Sequence, residues 1–446
     1  MSTKSRFPAR LVMTTAALGV AQVVHAGFIE DSKLTVNARN YYYNVDNHEG
    51  GKDQREWAQA FKVDYLSGFT EGTVGFGLDL QGMVGIHLDG GKGHHPDSNT
   101  FTPSDSDGSA AHEWSAGGAT AKVRFSKTEL RYGNTLSPNL PILVSSESRL
   151  LPQTFGGFMF TSKEIDNLTL TGGQIESARG RASTNSSGLA VAGATRDSNK
   201  FRFVGGDWKA TKNLTLQYYY ANLEDFYKQH FFGLQHVLPI NENQSFKTDL
   251  RYFKSTSDGA NGDVGYRFNN NGGYAKNPGE VDNDTGIATF TYTLYGHSLS
   301  LGYQHVSSDG GFVWANQANV VDGRGRNDGE GGASFYSWSD AVVGNFSRAG
   351  ENTTMAQYAY DFSSVGVPGL KTSVMYLRGE DAKAANGVGP DTHEWETDLR
   401  VDYVVPSGPL KGFGTTLRHG IYRGGGSPIV DTNQTRLIFN YTYAFF

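Results

Sequence analysis

The chain alternates between apolar and polar residues over one stretch after another. In residues 73–82 every second position is apolar, namely Val74, Phe76, Leu78 and Leu80. A period of two predicts a β-strand whose two faces meet different surroundings. The same alternation recurs at 34–44, 214–223, 395–404 and 434–446. No long amphipathic helix competes with it, so the pattern predicts an all-β protein.

Connections of two sizes separate these segments. Short turns lie at 67–72, 126–128, 166–168, 209–214, 239–244, 294–297, 363–369 and 406–412. Long polar connections alternate with them near 45–55, 89–115, 134–156, 177–199, 222–230, 255–284, 307–350, 380–392 and 424–433. About nine long and about eight short connections imply about 18 strands, with both chain ends on the same side.

Two architectures contain many alternating strands, a soluble sandwich and a membrane barrel. In a sandwich the apolar faces would pack on each other, and long and short connections would have no reason to segregate. In a closed barrel the apolar face meets lipid, the polar face lines a water-filled lumen, and closure pairs every backbone group. Only 37% of the residues are hydrophobic, and the mean hydropathy is -0.45. The sequence therefore predicts an antiparallel transmembrane β-barrel of about 18 strands.

The N-terminal residues predict export. Basic residues precede an uncharged apolar segment at 11–24, and Ala26 ends a stretch typical of a signal-peptide cleavage site. The segment has about 14 residues, whereas a membrane-spanning helix needs about 20. We therefore expect residues 1–26 to be a removed signal peptide and residues 27–446 to form one barrel domain. Such a barrel would lie in the outer membrane of a Gram-negative bacterium, in contact with lipid and lipopolysaccharide.

One long connection differs from an ordinary surface loop. Residues 133–158 contain three prolines and the apolar residues Leu136, Leu140, Ile142, Leu143, Leu150 and Leu151. A loop this apolar should bury itself against another part of the protein. We expect this third long loop to fold into the barrel and constrict the pore. The alternative is that it packs on neighbouring loops as an outer cap.

Four arginines lie on the polar face of four strands that become neighbours when the barrel closes. They are Arg39 on the first strand and Arg400, Arg418 and Arg436 on the last three. Their heights above the chain-end side predict a positive stripe that covers about 12 Å of the wall. Such a stripe would attract anions and let an anion pass from one arginine to the next.

The alternative for these arginines is that acids on the same face pair with them and brace the barrel. Candidate acids on the strand of Arg400 are Glu396, Asp398 and Asp402. Further inward cations near the third long loop are Lys122, Arg124 and Arg131, and Arg149 lies within the loop.

Other chemistry has weak support in the sequence. A net charge of -6 implies no nucleic-acid partner. His94, His95 and Asp97 are metal-ligand types, but adjacent histidines in a polar loop are usually solvated. The Gly-rich stretch 323–332 follows no strand–helix pattern, and the chain has no G-x-S-x-G motif. We therefore expect no metal, no other cofactor and no catalytic residue.

Several motifs resemble one known family, the OprD-type substrate-specific porins of pseudomonads, also called outer-membrane carboxylate channels. The resemblance covers essentially the whole mature chain. Its motifs are ARNYYYN (38–44), SKTELRYGNTLSPNLPIL (126–143), SRLLPQTFGGF (148–158), LEDFYKQHFFGLQH (223–236), LGYQHVSSDGGF (301–312), YAYDFSSVGVPGL (358–370) and SGPLKG (407–412).

The resemblance implies an 18-stranded barrel, a third loop that narrows the pore, and a ladder of basic residues along one wall. It implies passive uptake of small, usually carboxylate-bearing nutrients. Arg39 corresponds to a basic residue of that ladder, and Arg131 and Arg149 correspond to cations near the constriction. Asp309 lies where the seventh loop begins, and that loop helps to shape the eyelet in relatives.

This chain departs from the family pattern at three positions that often carry a cation. They hold Val45, Gln357 and Met375. The ladder is therefore thinner than in relatives, and we expect a weaker and broader selectivity for carboxylates.

The sequence thus favours a porin for small polar nutrients such as amino acids or carboxylates. A non-conducting barrel that serves as an adhesin or envelope anchor is the alternative, and a barrel hydrolase is a further one. The sequence is compatible with a monomer and with a homotrimer, because trimer contacts would use the same apolar outer face as lipid.

Overall fold

A computed structural model describes residues 27–48, 50–90, 93–96, 100–315 and 334–446. The predicted signal peptide lies outside these ranges. The chain forms an 18-stranded sheet, whose strands are β1 (Lys33–Asn47), β2 (Gln54–Leu66), β3 (Val74–Asp89), β4 (Glu113–Phe125), β5 (Thr128–Leu136), β8 (Thr154–Ser162), β9 (Leu168–Arg179), β10 (Phe201–Lys209), β11 (Leu214–Leu223), β12 (Tyr227–Asn241), β13 (Gln244–Ser257), β14 (Asp282–Leu294), β15 (His297–Val306), β16 (Asn352–Asp361), β17 (Leu370–Ala382), β18 (Thr392–Val404), β19 (Gly414–Gly425) and β20 (Thr432–Ala444). The two remaining strands, β6 (Asn139–Leu140) and β7 (Leu143–Val144), form a small separate hairpin.

The sheet closes on itself. Strand β1 pairs in antiparallel register with β2 on one side and with β20 on the other, from Thr35 opposite Ala444 to Asn47 opposite Thr432. Each barrel strand therefore has a partner on both sides, and its backbone groups are paired without an open edge. This confirms the predicted fold class.

Helical structure in the described residues is short. It comprises α1 (Gly27–Glu30) and two 3-10 segments at Asn270–Gly272 and Phe362–Val365. None of these helices is long and apolar enough to cross a membrane.

The two faces of each strand differ as the alternation predicts. On β3, Phe76 points outward, and 56% of its surface is exposed. Asp79 lies on the opposite, inward face of the same strand and is 5% exposed. On this strand the outer face is thus apolar and the inner face polar, whereas inward positions of β8 to β14 also carry apolar side chains.

The connections segregate by length. The eight short turns lie with both chain ends, where the backbone N–H of Leu34 donates to the carbonyl of Phe446 at 3.2 Å. This side faces the periplasm. We name the opposite connections loop 2 (90–112), loop 3 (137–153), loop 4 (180–200), loop 6 (258–281) and loop 7 (307–351). The predicted long loop at 222–230 is wrong, because β11 and β12 extend until only residues 224–226 join them.

The extracellular half of the lumen is partly filled by packed side chains. A large apolar cluster joins inward residues of β8 to β14 to loops 3, 4, 6 and 7, for example Phe253, Leu189, Phe268 and Phe312. A smaller cluster joins β1 to β4 with Phe101 of loop 2. The expectation of a water-filled interior is wrong at this level, where packed side chains of the wall and the loops occupy part of the lumen.

Candidate functional site

Loop 3 folds into the barrel, as its apolar residues predict. Its first half places Ile142 and Leu143 in the large apolar cluster. Its second half places Leu150 and Leu151 in the smaller cluster on β1 to β4. The loop therefore rests on two parts of the inner wall, and the alternative of an outer cap is excluded.

The tip of loop 3 is held against β1 by two side chains of the ARNYYYN motif. Arg39 Nη1 donates to the carbonyl oxygens of Arg149 at 2.8 Å and of Glu147 at 3.3 Å. Tyr41 Oη donates to the carbonyl oxygen of Ser148 at 3.1 Å. The hydrogen bonds from the Arg39 guanidinium are charge-assisted, so they fix geometry as well as adding energy. The loop tip thus has a defined position against this wall.

The other three predicted arginines form one cross-strand row. Arg400 on β18 lies opposite Arg418 on β19, which lies opposite Arg436 on β20, and Tyr43 on β1 continues the row. Neighbouring strands are about 4.8 Å apart, so like charges stand side by side. Arg39 lies four residues from Tyr43 on β1, which is about 13 Å further along the strand toward the periplasm.

These arginines differ in how their charge is compensated. Arg400 forms an ion pair with Asp402, with Nη2 3.0 Å from Oδ1. Arg436 donates from Nε to Gln434 at 2.7 Å and from Nη2 to the carbonyl of Val342 at 2.5 Å.

Arg418 differs from Arg400 and Arg436 in its polar contacts. Within the part of the chain that the structure describes, it has neither a hydrogen bond nor an ion pair, and its Nε is buried without a partner. Arg418 is therefore the arginine of the row with the least compensated charge.

Two of the three candidate acids on β18, Glu396 and Asp398, bind the backbone of loop 7 and do not form ion pairs with the arginines. Glu396 accepts hydrogen bonds from the backbone N–H groups of Val343 and Gly344, both at 2.7 Å. Asp398 accepts from the N–H of Val342 at 3.2 Å. These carboxylates hold loop 7 inside the barrel, and only Asp402 pairs with an arginine of the row by a described ion pair.

A cavity of about 330 Å³ lies on the extracellular side of the loop 3 tip, and we call it the outer cavity. Among the described residues, its charged lining comprises one acid, Asp340, and four arginines, Arg149, Arg181, Arg418 and Arg436. Arg149 lies over the ring of Tyr43 at 4.9 Å. Arg181 Nη1 donates to Ser148 Oγ at 2.7 Å. Four cations against one carboxylate make this cavity electropositive.

Two lining residues of the outer cavity, Arg181 and Asp340, were not predicted from the sequence. Burial shifts the pKa of both. Burial, followed by the charge of Arg149, lowers the pKa of Arg181 to about 9, so its guanidinium stays charged at neutral pH. Burial raises the pKa of Asp340, although Ser334 and the nearby Arg181 oppose that rise. Both residues lie in loops without periodicity, where no pattern in the sequence marks an inward side chain.

A second cavity of about 710 Å³, the periplasmic cavity, lies on the other side of loop 3. It is lined by Arg124 and Arg131, which the sequence placed near the constriction. The guanidinium of Arg124 lies 4.3 Å from the ring centroid of Phe69. Arg131 pairs with Glu129 and lies 3.8 Å from Asp79. These two arginines therefore face the exit on the periplasmic side.

Asp309 occupies a different place from the eyelet position expected by resemblance. Its carboxylate pairs with Lys276 of loop 6 at 3.3 Å, and its carbonyl accepts from the N–H of Lys276 at 2.8 Å. These contacts join loops 6 and 7, and Asp309 lines neither cavity beside loop 3. Of the described residues of loop 7, Asp340 is the acid that lines the outer cavity with the arginines.

The described residues contain no group of three or more His, Asp or Glu side chains that could hold a metal ion. His95 is buried, with Nδ1 3.2 Å from Glu56 and Nε2 2.8 Å from Ser104. Asp97 and the Gly-rich stretch 323–332 lie outside the described residues.

Comparison with known proteins gives consistent matches over almost the whole chain. A family model described as outer membrane porin, OprD family, matches residues 26–445. The chain is 34% identical to Porin D of Pseudomonas aeruginosa, over 93% of this chain and 91% of that protein. The crystal structure of P. aeruginosa OccK8 (OprE) superposes with a TM-score of 0.84 at 44% identity, covering 94% of this chain and 100% of that one. The crystal structure of P. aeruginosa OpdK with vanillate gives a TM-score of 0.79 at 32% identity, with 94% and 100% coverage.

Proposed function

Because the chain belongs to the OprD family of outer membrane porins, and is thus an outer-membrane channel for small solutes, we propose that it selects solutes that carry a carboxylate. The selecting element is the arginine wall made of Arg39, Arg400, Arg418 and Arg436. Arg149 adds a further cation from the tip of loop 3.

The observation that carries this proposal is the position of Arg418. It lies between Arg400 and Arg436 in one cross-strand row, and no described acid forms a hydrogen bond or an ion pair with it. A guanidinium in this setting has free donors for a carboxylate and little competition from protein groups. A carboxylate that reaches the row would meet a net positive charge.

The two cavities lie on either side of the loop 3 tip, and the row borders the outer one. A carboxylate would first meet the electropositive outer cavity, with Arg149, Arg418 and Arg436 among its lining. It would then pass to Arg39, about 13 Å further toward the periplasm. When binding sites lie in series, an anion contacts the next cation as it leaves the previous one. It is therefore not held so tightly at any one site that its release becomes slow.

The three departures from the family pattern fit a modest selectivity. Gln357 and Met375 lie opposite each other on β16 and β17, and Val45 lies on β1 with Tyr41 and Tyr43. These positions place neutral side chains where a cation would extend the arginine wall. We therefore propose a preference for carboxylates that is broad in the rest of the solute. Aromatic carboxylates such as vanillate, which accompanies OpdK in a crystal, and amino acids both belong to this class.

Flux measurements test the proposal. Purified protein is reconstituted in vesicles, and entry of benzoate is compared with entry of uncharged benzamide, which has nearly the same size. We expect Arg418→Gln to lower benzoate flux while benzamide flux is unchanged. Arg378→Gln is the matched control, because Arg378 lies on the outer face of β17 and pairs with Glu380.

An equal benzoate flux in the wild type and in Arg418→Gln would contradict the proposal. A vesicle preparation that passes neither solute would instead favour the adhesin or envelope-anchor alternative.

A further inference from the structure

The tip of loop 3 presents opposite charges on its two sides. Arg149 lines the outer cavity, whereas Glu147, two residues earlier, lines the periplasmic cavity. Glu147 also lines a smaller cavity of about 190 Å³ that it shares with Arg39. A solute that moves past the tip therefore meets a guanidinium first and a carboxylate next.

The carboxylate of Glu147 is available to a solute. The residue is exposed to the lumen, and its one described polar contact is through the backbone, where its carbonyl accepts from Arg39 at 3.3 Å. Among the described residues no cation lies within ion-pair distance of its side chain. Arg39, whose charge acts on Glu147, directs its donors to the carbonyls of loop 3 and to Asn440.

The other acids of the periplasmic cavity are already paired. Asp64 lies 2.9 Å from the ammonium of Lys62, and Asp79 lies 2.6 Å from that of Lys122. Glu129 pairs with Arg131. Glu147 is thus the acid among the described lining of this cavity that has no cation within ion-pair distance, although the charge of Arg39 acts on it from further away.

A carboxylate that has no ion-pair partner and lies beside an arginine wall has a consequence for selectivity. It repels a simple carboxylate that follows the arginines, and it attracts an ammonium or guanidinium group. A solute that carries both charges can place its carboxylate on the arginines while its cationic group meets Glu147.

We propose that Glu147 is a specificity-determining residue that binds the cationic group of solutes that also carry a carboxylate. This rests on the proposed function, because the carboxylate of such a solute is placed by the arginine wall. Compared at equal chain length, amphoteric solutes pass more readily than simple carboxylates.

The test compares butyrate with γ-aminobutyrate, which share a four-carbon carboxylate and differ by one ammonium group. Flux of each labelled solute into reconstituted vesicles gives a ratio for every variant. We expect Glu147→Gln to lower the ratio of γ-aminobutyrate to butyrate flux by about two- to fivefold, the range of one exposed charge pair. Glu147→Asp keeps the charge and should retain most of the wild-type ratio.

Controls separate this inference from the proposed function. Glu242→Gln removes an exposed acid from the turn between β12 and β13, outside both cavities, and should leave the ratio unchanged. Arg418→Gln tests the wall, and it should lower the flux of both solutes. If Arg418→Gln has this effect but Glu147→Gln leaves the ratio at the wild-type value, the inference is overturned and the proposed function stands.

The remaining outcomes are also decisive. An equal fall of both fluxes in Glu147→Gln leaves the ratio unchanged and overturns the inference. If Glu147→Gln lowers the ratio while Arg418→Gln changes neither flux, Glu147 selects the cationic group and the proposed role of the arginine wall fails.

Discussion

The guanidinium of Arg39 lies 2.8 Å from the carbonyl oxygen of Arg149, so a side chain of β1 holds the backbone at the tip of loop 3. Arg39 thus has two tasks. It adds positive charge to the arginine wall, and it fixes the loop that narrows the lumen. The two tasks can be separated by experiment, because a backbone carbonyl needs a donor in a defined direction whereas a passing anion needs only charge.

Replacing Arg39 by Ala should therefore release the loop tip. Loss of the two hydrogen bonds to loop 3 lets the tip move away from β1, so we expect a larger and noisier single-channel conductance in planar bilayers. Arg39→Lys keeps the charge but cannot reproduce the fork of donors, so it should share the noise while it retains more of the anion preference. A quiet conductance of wild-type size in Arg39→Ala would show that Arg39 does not hold the loop.

The apolar contacts of loop 3 give a second prediction. Leu151 is 2% exposed in the cluster on β1 to β4, and truncation of such a leucine usually costs about 2–5 kcal/mol. We expect Leu151→Ala to make loop 3 susceptible to limited proteolysis in the detergent-solubilised, folded barrel. Leu80→Ala is the matched control, because Leu80 is 43% exposed on the outer face. Equal resistance of both variants would mean that the loop is held by its polar contacts alone.

The barrel and the arginine wall could be predicted from the sequence because both follow from a period of two. Once the parity of a strand is known, so is the face of each residue, and chain order makes β20 the neighbour of β1. Parity alone places Arg39 and Arg418 on the inner face of the barrel. The exact partners depend on the register, which the sequence pattern gives only approximately.

The contacts made by loops could not be predicted in this way. Arg39 and Arg149 are 110 positions apart, and no periodicity links them. Arg181, Asp340 and Glu147 lie in segments where neither side of the backbone is marked as inward. The predicted long connection after β11 is wrong for a related reason. The polar residues at either end of that predicted connection belong to β11 and β12. Asp225, with φ of 68°, lies in the tight turn between the two strands.

The base of loop 7 predicts a dependence of stability on pH. The carboxylate of Glu351 accepts from the N–H of Arg348 at 3.0 Å, and Arg348 pairs with Glu394 at 3.1 Å. Burial, and then the charge of Glu394, raises the pKa of Glu351 well above its usual 4.5. The folded state thus holds this proton more tightly than the unfolded state. Its stabilising contribution is present below the usual pKa and is lost as the pH rises through the raised value.

Glu351→Gln, a neutral variant of the same shape, should remove that dependence. Samples are preheated to a series of temperatures and run on gels that separate folded from unfolded protein. The temperature at which the folded band disappears should fall with rising pH in the wild type and fall less in the variant. The two should converge toward about pH 4, where Glu351 is protonated. Glu242→Gln should behave like the wild type. Parallel curves for Glu351→Gln and the wild type would contradict the assignment of the proton to Glu351.

The ion selectivity of Arg418→Gln tests the central claim most directly. Reversal potentials are measured in planar bilayers under a KCl gradient for the wild type, Arg418→Gln and the outer-face control Arg378→Gln. The arginine wall predicts that loss of Arg418 lowers the chloride-to-potassium permeability ratio by about two- to fivefold, whereas the control keeps the wild-type ratio. A wild-type ratio in Arg418→Gln would contradict the claim that uncompensated arginine charge selects the solute.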